Sequence, residues 1–129
     1  MTSVVDTSAV LAVVLAEARG DAMLPHMHKA FMSSVNLAEA VSKLTERGAT
    51  PEIAWSQLQK LKLNFVDLDI ELARSAGEMR MATKPFGLSL GDRACLALGR
   101  VKGLPVITTD RDMARVDVGV EVKVFQTER

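Results

Sequence analysis

The stretch SVVDTS at residues 3–8, with the apolar run Ala9–Ala16 directly after it, decides the fold class. Its two valines favour extended structure and predict a short strand. The next three residues, Asp6, Thr7 and Ser8, are types that cap helix N-termini, so the apolar run is predicted to be a helix. The chain therefore opens with a strand, a tight turn and a helix, and it carries a carboxylate where the strand ends.

Strand and helix signals go on alternating along the rest of the chain. Short apolar or β-branched runs predict further strands at residues 31–33, 64–68, 104–108 and 120–125. Capping residues predict helices that begin near Ser34, Pro51, Asp69 and Leu90. Strands that alternate with helices predict an α/β fold, a three-layer α/β/α sandwich around a mostly parallel central sheet.

Two of these helices carry apolar residues at helical spacing. In the helix that begins at Pro51, the pattern directs Ile53, Leu58 and Leu61 toward the core. In the helix that follows Asp69, one face is predicted from residues at helical spacing: Ile70, Ala73, Ala76 or Gly77, and Met81.

Length and composition describe an ordinary globular chain. It has 129 residues, of which 48% are apolar and 25% charged, so a single domain spanning residues 1–129 is predicted. Lys plus Arg and Asp plus Glu both number 16, so the chain has no overall basic field. If the substrate is a nucleic acid, its attraction to this chain must be local.

Several features predict a cytoplasmic protein that has no contact with a membrane. The run Ala9–Ala16 is far shorter than the roughly 20 residues that a membrane-spanning helix needs. No basic stretch precedes it, which argues against a signal peptide. Cys95 is the single cysteine, which excludes an internal disulfide and fits a reducing compartment.

Four carboxylates are predicted to meet at the carboxyl edge of the sheet, where open α/β folds bind their ligands. Asp6 ends the first strand and Asp110 ends the fourth, and these strands are neighbours if the order is the common 3-2-1-4-5. Asp92 lies in the first turn of the helix that enters the fourth strand, and Glu39 lies about one turn into the helix after the second. Crowded carboxylates repel one another, which either raises their pKa values or demands a cation, and hard oxygen ligands suit Mg²⁺ or Mn²⁺. A pair of such ions can activate water for phosphodiester cleavage.

Each acid also has a purely structural interpretation. Asp92 can be the capping partner of Ser89, Asp6 can belong to a common strand-to-helix turn, and Asp110 can cap the residues that follow it. Glu39 is the least expected as a solvated acid, because its neighbours in the sequence are apolar. The chance that all four are structural is small.

Other residues that often carry chemistry are predicted to be structural. His26 and His28 are two apart and fall on different faces of a helix, which favours surface residues over zinc ligands. Cys95 is predicted to be a buried small hydrophobe. Trp55 is predicted to serve packing or a subunit contact and not base stacking.

Four motifs follow one another along the chain: VVDTSAV at residues 4–10, SSVNLAE at 33–39, LSLGDRACLA at 88–97 and PVITTDR at 105–111. In their order and spacing the chain resembles the PIN-domain family, and within it the VapC toxins of bacterial toxin–antitoxin pairs. The resemblance covers nearly the whole chain. Each motif alone is weak, but the set is specific.

The resemblance implies a metal-dependent endoribonuclease that cuts tRNA or ribosomal RNA with an activated water. It implies a homodimer and a cognate VapB-type antitoxin, which wraps apolar grooves and often inserts a basic side chain into the acidic site. The implied metal-binding catalytic acids are Asp6, Glu39, Asp92 and Asp110. Supporting roles fall to Ser8 and Thr109 as hydrogen-bonding neighbours and to Asp112 as an outer carboxylate. Candidate RNA contacts are Arg80, Lys84, Arg93 and Arg111.

Other functions stay open at this point. A non-catalytic α/β binding module would use the acids as caps; it predicts that neutralising Asp6 or Asp92 leaves stability lower or unchanged and that no metal binds. A phosphoacceptor receiver domain is weakened because VDLD at residues 66–69 is the only candidate for a phosphoacceptor. A nucleotide-binding domain is disfavoured because no glycine-rich loop follows the first strand. A PIN nuclease of RNA processing remains an alternative to a toxin.

Overall fold

The computed structural model describes residues 2–16 and 20–125. Within this part, the sheet has five strands: β1 (Val4–Val5), β2 (Phe31–Ser33), β3 (Asn64–Val66), β4 (Val106–Thr108) and β5 (Val122–Val124). All pairings are parallel and the order is β3-β2-β1-β4-β5. The predicted strand order is confirmed, and β1 lies beside β4, with Val5 aligned with Ile107.

The helices predicted to begin near Ala9, Ser34, Pro51, Asp69 and Leu90 start within two residues of those positions. Their bounds are α1 (Thr7–Val14), α2 (Gly20–Met23), α3 (Ser34–Glu46), α4 (Pro51–Gln59), α5 (Ile70–Glu78), α6 (Arg80–Thr83) and α7 (Leu90–Lys102). The side chains of five residues accept hydrogen bonds at helix N-termini, as capping predicts: Asp6, Ser33, Thr50, Asp69 and Ser89. None of the described helices is long and apolar enough to cross a membrane.

Helices cover both faces of the sheet. Adjacent strand residues point to opposite faces, so Val5 joins the core beneath α1, α3 and α4, while Val4 joins the core beneath α5 and α7. Cys95 of α7 is fully buried in the second core, as predicted. The three-layer α/β/α sandwich is confirmed, and its sheet is entirely parallel in the described residues.

The predicted inward faces of two helices were partly wrong. Ile53 is 52% exposed, because α4 packs through Ala54 and Leu58 and its contact face is therefore turned by one residue. Of the face of α5 predicted from Ile70, Ala76 is buried as expected, but Ile70 and Ala73 are exposed. Leu72, Ser75 and Ala76 are buried in α5, while Ile70 is 86% exposed. Met81 is 76% exposed and belongs to α6, because α5 ends at Glu78.

Candidate metal centre

Asp6 sits at the carboxyl end of β1 and caps α1, almost fully buried. Its Oδ1 accepts hydrogen bonds from Ser8 Oγ at 2.8 Å and from the Ala9 N–H at 2.9 Å, and its Oδ2 accepts one from Thr108 Oγ1 at 2.5 Å. Burial raises the pKa of Asp6 to about 6, although these three donors oppose the shift, and the charge of Asp92 adds to it. The fold therefore holds a carboxylate where its charge is poorly solvated.

The end of β4 is bonded to the end of β1. Thr108 is fully buried; it donates to Asp6 and accepts a hydrogen bond from the Asp110 N–H at 3.0 Å. The Thr109 N–H donates to Ser8 Oγ at 3.0 Å. Asp110 caps the 3₁₀ turn Arg111–Arg115. One hydrogen-bond network thus joins the Asp6 carboxylate to the backbone N–H of Asp110.

Glu39 is oriented by neighbours from three elements. Its Oε1 accepts hydrogen bonds from Thr7 Oγ1 at 2.7 Å and from Asn36 Nδ2 at 3.1 Å. Asn36 Nδ2 also donates to the Gly91 carbonyl at 3.2 Å, so it links α3 to the first turn of α7. Asn36 Oδ1 is buried and has no hydrogen-bond partner in the described part. The Glu39 carboxylate packs directly against Gly91.

Asp92 stands in the first turn of α7 in a capping box. Its Oδ2 accepts from the Ser89 N–H at 2.9 Å, and its own N–H donates to Ser89 Oγ at 3.2 Å. Partial burial raises the pKa of Asp92, and the charges of Asp110 and Glu39 raise it further. Because Asp92 in turn acts on Asp6, all four predicted acids lie in one electrostatic neighbourhood.

The donor chemistry of these acids fits Mg²⁺ or Mn²⁺, since every group is a hard oxygen ligand. As placed, however, no three Asp, Glu, His or Cys side chains in residues 2–16 and 20–125 form a group that could hold an ion. Asp6, Glu39 and Asp92 each accept hydrogen bonds from protein donors.

The remaining predicted residues are placed as follows. Ser8 contacts both Asp6 and Thr109, as a hydrogen-bonding neighbour should. Thr109 contributes its backbone N–H. Asp112 is about half exposed and forms an ion pair with Arg115 at 3.3 Å, and its N–H donates to Asp110. It adjoins Asp110 without joining the buried network.

Thr7, Asn36, Gly91 and Thr108 were missed by sequence reasoning. Asn36 lies three residues before Glu39 on α3, a spacing that places both on one helix face and could have signalled the contact. Thr108 directly precedes Thr109, and nothing in the sequence says which of the two faces inward. The role of Gly91 depends on how closely α7 approaches α3.

Among the predicted RNA contacts, Arg93 is partly buried and committed to the fold. Its Nη1 donates to the Ala76 carbonyl at 3.2 Å, and its buried Nε has no partner among the described residues. Arg80, Lys84 and Arg111 are exposed. Trp55 is 41% exposed and its ring lies 5.7 Å from that of Phe65.

Comparison with known proteins agrees with this architecture. The PIN domain model matches residues 3–119. No curated protein matches the sequence. Among solved structures, the chain is similar to VapBC2 of Rickettsia felis bound to a promoter DNA fragment, with 15% identity over 95% of this chain and 98% of that chain and a TM-score of 0.72.

Two further structures share the fold. DNA-bound VapBC of Salmonella typhimurium is 20% identical over 95% of this chain and 98% of that chain, with a TM-score of 0.72. The VapC20 toxin of Mycobacterium tuberculosis, which cleaves the sarcin-ricin loop, is 19% identical over 88% of this chain and 94% of that chain, with a TM-score of 0.73. Because the PIN domain model matches residues 3–119 and the fold agrees with it, the chain belongs to the PIN-domain family.

Proposed function

We propose that this protein is a metal-dependent endoribonuclease and the toxin of a type II toxin–antitoxin pair. The observation that supports the proposal is electrostatic: at the carboxyl edge of a PIN-domain sheet, the charges of Glu39 and Asp110 act on Asp92, and the charge of Asp92 acts on Asp6. Family membership supports a nuclease, and the fold shared with VapBC complexes and the VapC20 toxin supports a toxin.

The four acids would hold Mg²⁺ or Mn²⁺, which when bound lowers the pKa of a water molecule and neutralises charge on the phosphate. The protein's own part is to fix the ligands. Thr108 and Ser8 hold the two oxygens of Asp6, and Thr7 and Asn36 hold Oε1 of Glu39. With its pKa at about 6, Asp6 is mostly deprotonated at neutral pH and available as a ligand.

The substrate we propose is RNA, either tRNA or ribosomal RNA. The fold relative VapC20 cleaves the sarcin-ricin loop, which supports a structured RNA. The chain has a formal net charge of +0, so local groups and bound cations must supply the attraction for a polyanion. The protein would act in the cytoplasm, where these RNAs are found.

The partners we propose are a VapB-type antitoxin and a second copy of this chain. Several fold relatives are VapBC complexes, which supports the antitoxin. Large apolar side chains on the surface are the kind that protein interfaces cover, and here they include Ile70 at 86% exposure, Met81 at 76% and Leu90 at 52%.

The test is cleavage of a labelled tRNA pool by purified, partner-free protein with Mg²⁺ or Mn²⁺. Controls are EDTA, the variant Asp6→Asn, and the matched variant Asp21→Asn, which removes an exposed acid from α2. We expect cleavage by the wild type and by Asp21→Asn, and none with EDTA or with Asp6→Asn. Cleavage that persists in Asp6→Asn, or a wild type that cuts neither tRNA nor ribosomal RNA with either metal, contradicts the proposal.

A further inference from the structure

A groove of about 400 Å³ runs between α1 and α3. It lies on the side of the four acids Asp6, Glu39, Asp92 and Asp110, which we call the acid cluster. We call it the α1–α3 groove and define it by its lining residues: Ser8, Leu11, Leu15, Lys43, Glu46, Arg47 and Thr109. Five of these seven side chains are polar or charged, so the groove is not an apolar docking surface.

One part of the groove adjoins the acid cluster. Ser8, which lines the groove, donates to Asp6 at 2.8 Å and accepts from the Thr109 N–H at 3.0 Å. A chain lying in the groove would therefore pass beside the buried carboxylate of Asp6.

The α3 wall of the groove carries two cations on the same helix face as Glu39. Glu39, Lys43 and Arg47 are spaced four residues apart along α3, so they follow one helix face. At about 1.5 Å of rise per residue, Lys43 stands ~6 Å and Arg47 ~12 Å along the helix axis from Glu39. The two cations thus lead away from the acid cluster along the groove.

Within residues 2–16 and 20–125, neither cation has a side-chain partner. Lys43 and Arg47 are exposed, and in the described part neither forms an ion pair or a side-chain hydrogen bond, even though Glu46 lines the same groove. Among the residues that line the groove, two cations stand against one acid, so the groove is locally basic although the formal net charge of the chain is +0. Lys and Arg beside a candidate phosphodiesterase centre suit a nucleic-acid backbone.

We propose that the α1–α3 groove binds the phosphate backbone of the RNA substrate, with Lys43 and Arg47 contacting phosphates and Leu11 and Leu15 packing against the nucleoside. This inference rests on the proposed function and names the RNA contacts of that site. It replaces Arg93 with Lys43 and Arg47 as the principal cationic contacts. Contacts of this kind carry affinity and not sequence specificity.

The test measures binding of a fluorescein-labelled tRNA pool by anisotropy, in the Asp6→Asn background so that the RNA stays intact. The test variant is Lys43→Gln with Arg47→Gln. Its matched control is Lys60→Gln with Arg74→Gln, which removes the same charges from exposed positions outside the groove. A third variant, Glu46→Gln, removes the acid of the groove and keeps its shape.

We expect the groove pair to raise the Kd about tenfold and to flatten the slope of log Kd against log salt by about 1 to 2. The control pair should change the Kd by less than about twofold, and Glu46→Gln should lower it. In the cleavage-competent protein, the groove pair should raise KM far more than it lowers kcat.

Two results would overturn the assignment. In the first, the Lys43→Gln, Arg47→Gln variant binds tRNA with the same Kd as the control variant but melts at a lower temperature. The two cations would then only stabilise the C-terminal end of α3, and the groove would be free for a protein ligand. Such a variant would leave the nuclease proposal intact, provided that the wild type still cuts RNA. A wild type that neither binds nor cuts RNA would overturn both proposals.

Discussion

Gly91 leaves the space that the Glu39 carboxylate fills. A Cβ at position 91 would lie 2.5 Å from Oε1 and 2.6 Å from Cδ of Glu39, closer than real side-chain atoms approach one another. The Glu39 carboxylate can therefore keep this position against the first turn of α7, which carries Asp92, only because residue 91 is glycine. Asn36 completes the contact by donating to both Glu39 and the Gly91 carbonyl.

We expect Gly91→Ala to cut RNA about 10- to 100-fold more slowly than the wild type, because displacing the Glu39 carboxylate lowers the cleavage rate sharply. The obstructed atoms belong to the end of a flexible side chain, so Glu39 can turn aside while the backbone stays in place. Stability should not fall, since Ala favours a helix over Gly by up to about 1 kcal/mol. The measurements are the cleavage rate and the thermal unfolding midpoint.

The matched control is Gly77→Ala, in α5. A Cβ there meets nothing within 4 Å, so this variant gains helix propensity without touching the acids. It should melt at the same or a higher temperature and cut RNA at the wild-type rate. If Gly91→Ala also cuts at the wild-type rate, the contact with Glu39 does not govern the geometry of the site.

Thr108→Val should destabilise the protein by about 1 to 3 kcal/mol, because it leaves the part-buried Asp110 N–H without its acceptor and removes one of the three donors to the buried Asp6 carboxylate. The pKa of Asp6 should rise further, since Thr108 is the strongest of the groups that lower it. Urea unfolding measures the change. Thr109→Val is the control: its N–H still donates to Ser8, so it should cost less than about 0.5 kcal/mol. Equal losses in the two variants would contradict the network described here.

The metal-free protein should lose stability as the pH rises from about 4 to about 6. Folding raises the pKa of Asp6 from 3.8 to about 6, so over this range the folded protein holds a proton that the unfolded chain has released. The loss from this one group is about 3 kcal/mol at most. Partial burial raises the pKa of Asp92 as well, which adds a loss of the same sign.

The measurement is the free energy of unfolding in urea with EDTA, at pH 4.5 and pH 7.5, for the wild type and Asp6→Asn. At pH 7.5 Asp6→Asn should be the more stable protein, and at pH 4.5 its advantage should shrink. A binding module that uses Asp6 only as a cap predicts the opposite, a variant that is equally or less stable at both values.

The sequence determines much of this architecture through rules that hold for any parallel sheet. Once β1 and β4 are neighbours, residues within two positions of their carboxyl ends, such as Asp6 and Asp110, must share an edge. The capping residues also predicted where the helices begin, because their side chains satisfy N–H groups that have no partner within the helix.

The parts that could not be predicted depend on contacts between elements. Ile53 and Ile70 satisfy helical periodicity, but the helices turn different faces to the core because Ala54 and Leu72 pack there. Which of Thr108 and Thr109 bonds Asp6 depends on the alignment of β4 with β1. The contact of Gly91 with Glu39 exists only after α3 and α7 have packed.

The most direct test of the central claim is Mn²⁺ binding followed by the electron paramagnetic resonance signal of the free ion. The proteins compared are the wild type, the matched control Asp21→Asn, and four neutralised variants: Asp6→Asn, Glu39→Gln, Asp92→Asn and Asp110→Asn. A shared carboxylate site predicts binding by the wild type and Asp21→Asn, and a Kd at least about tenfold higher in each of the four variants. Equal binding by all six proteins, or no binding by the wild type, would contradict a metal centre built from these four acids.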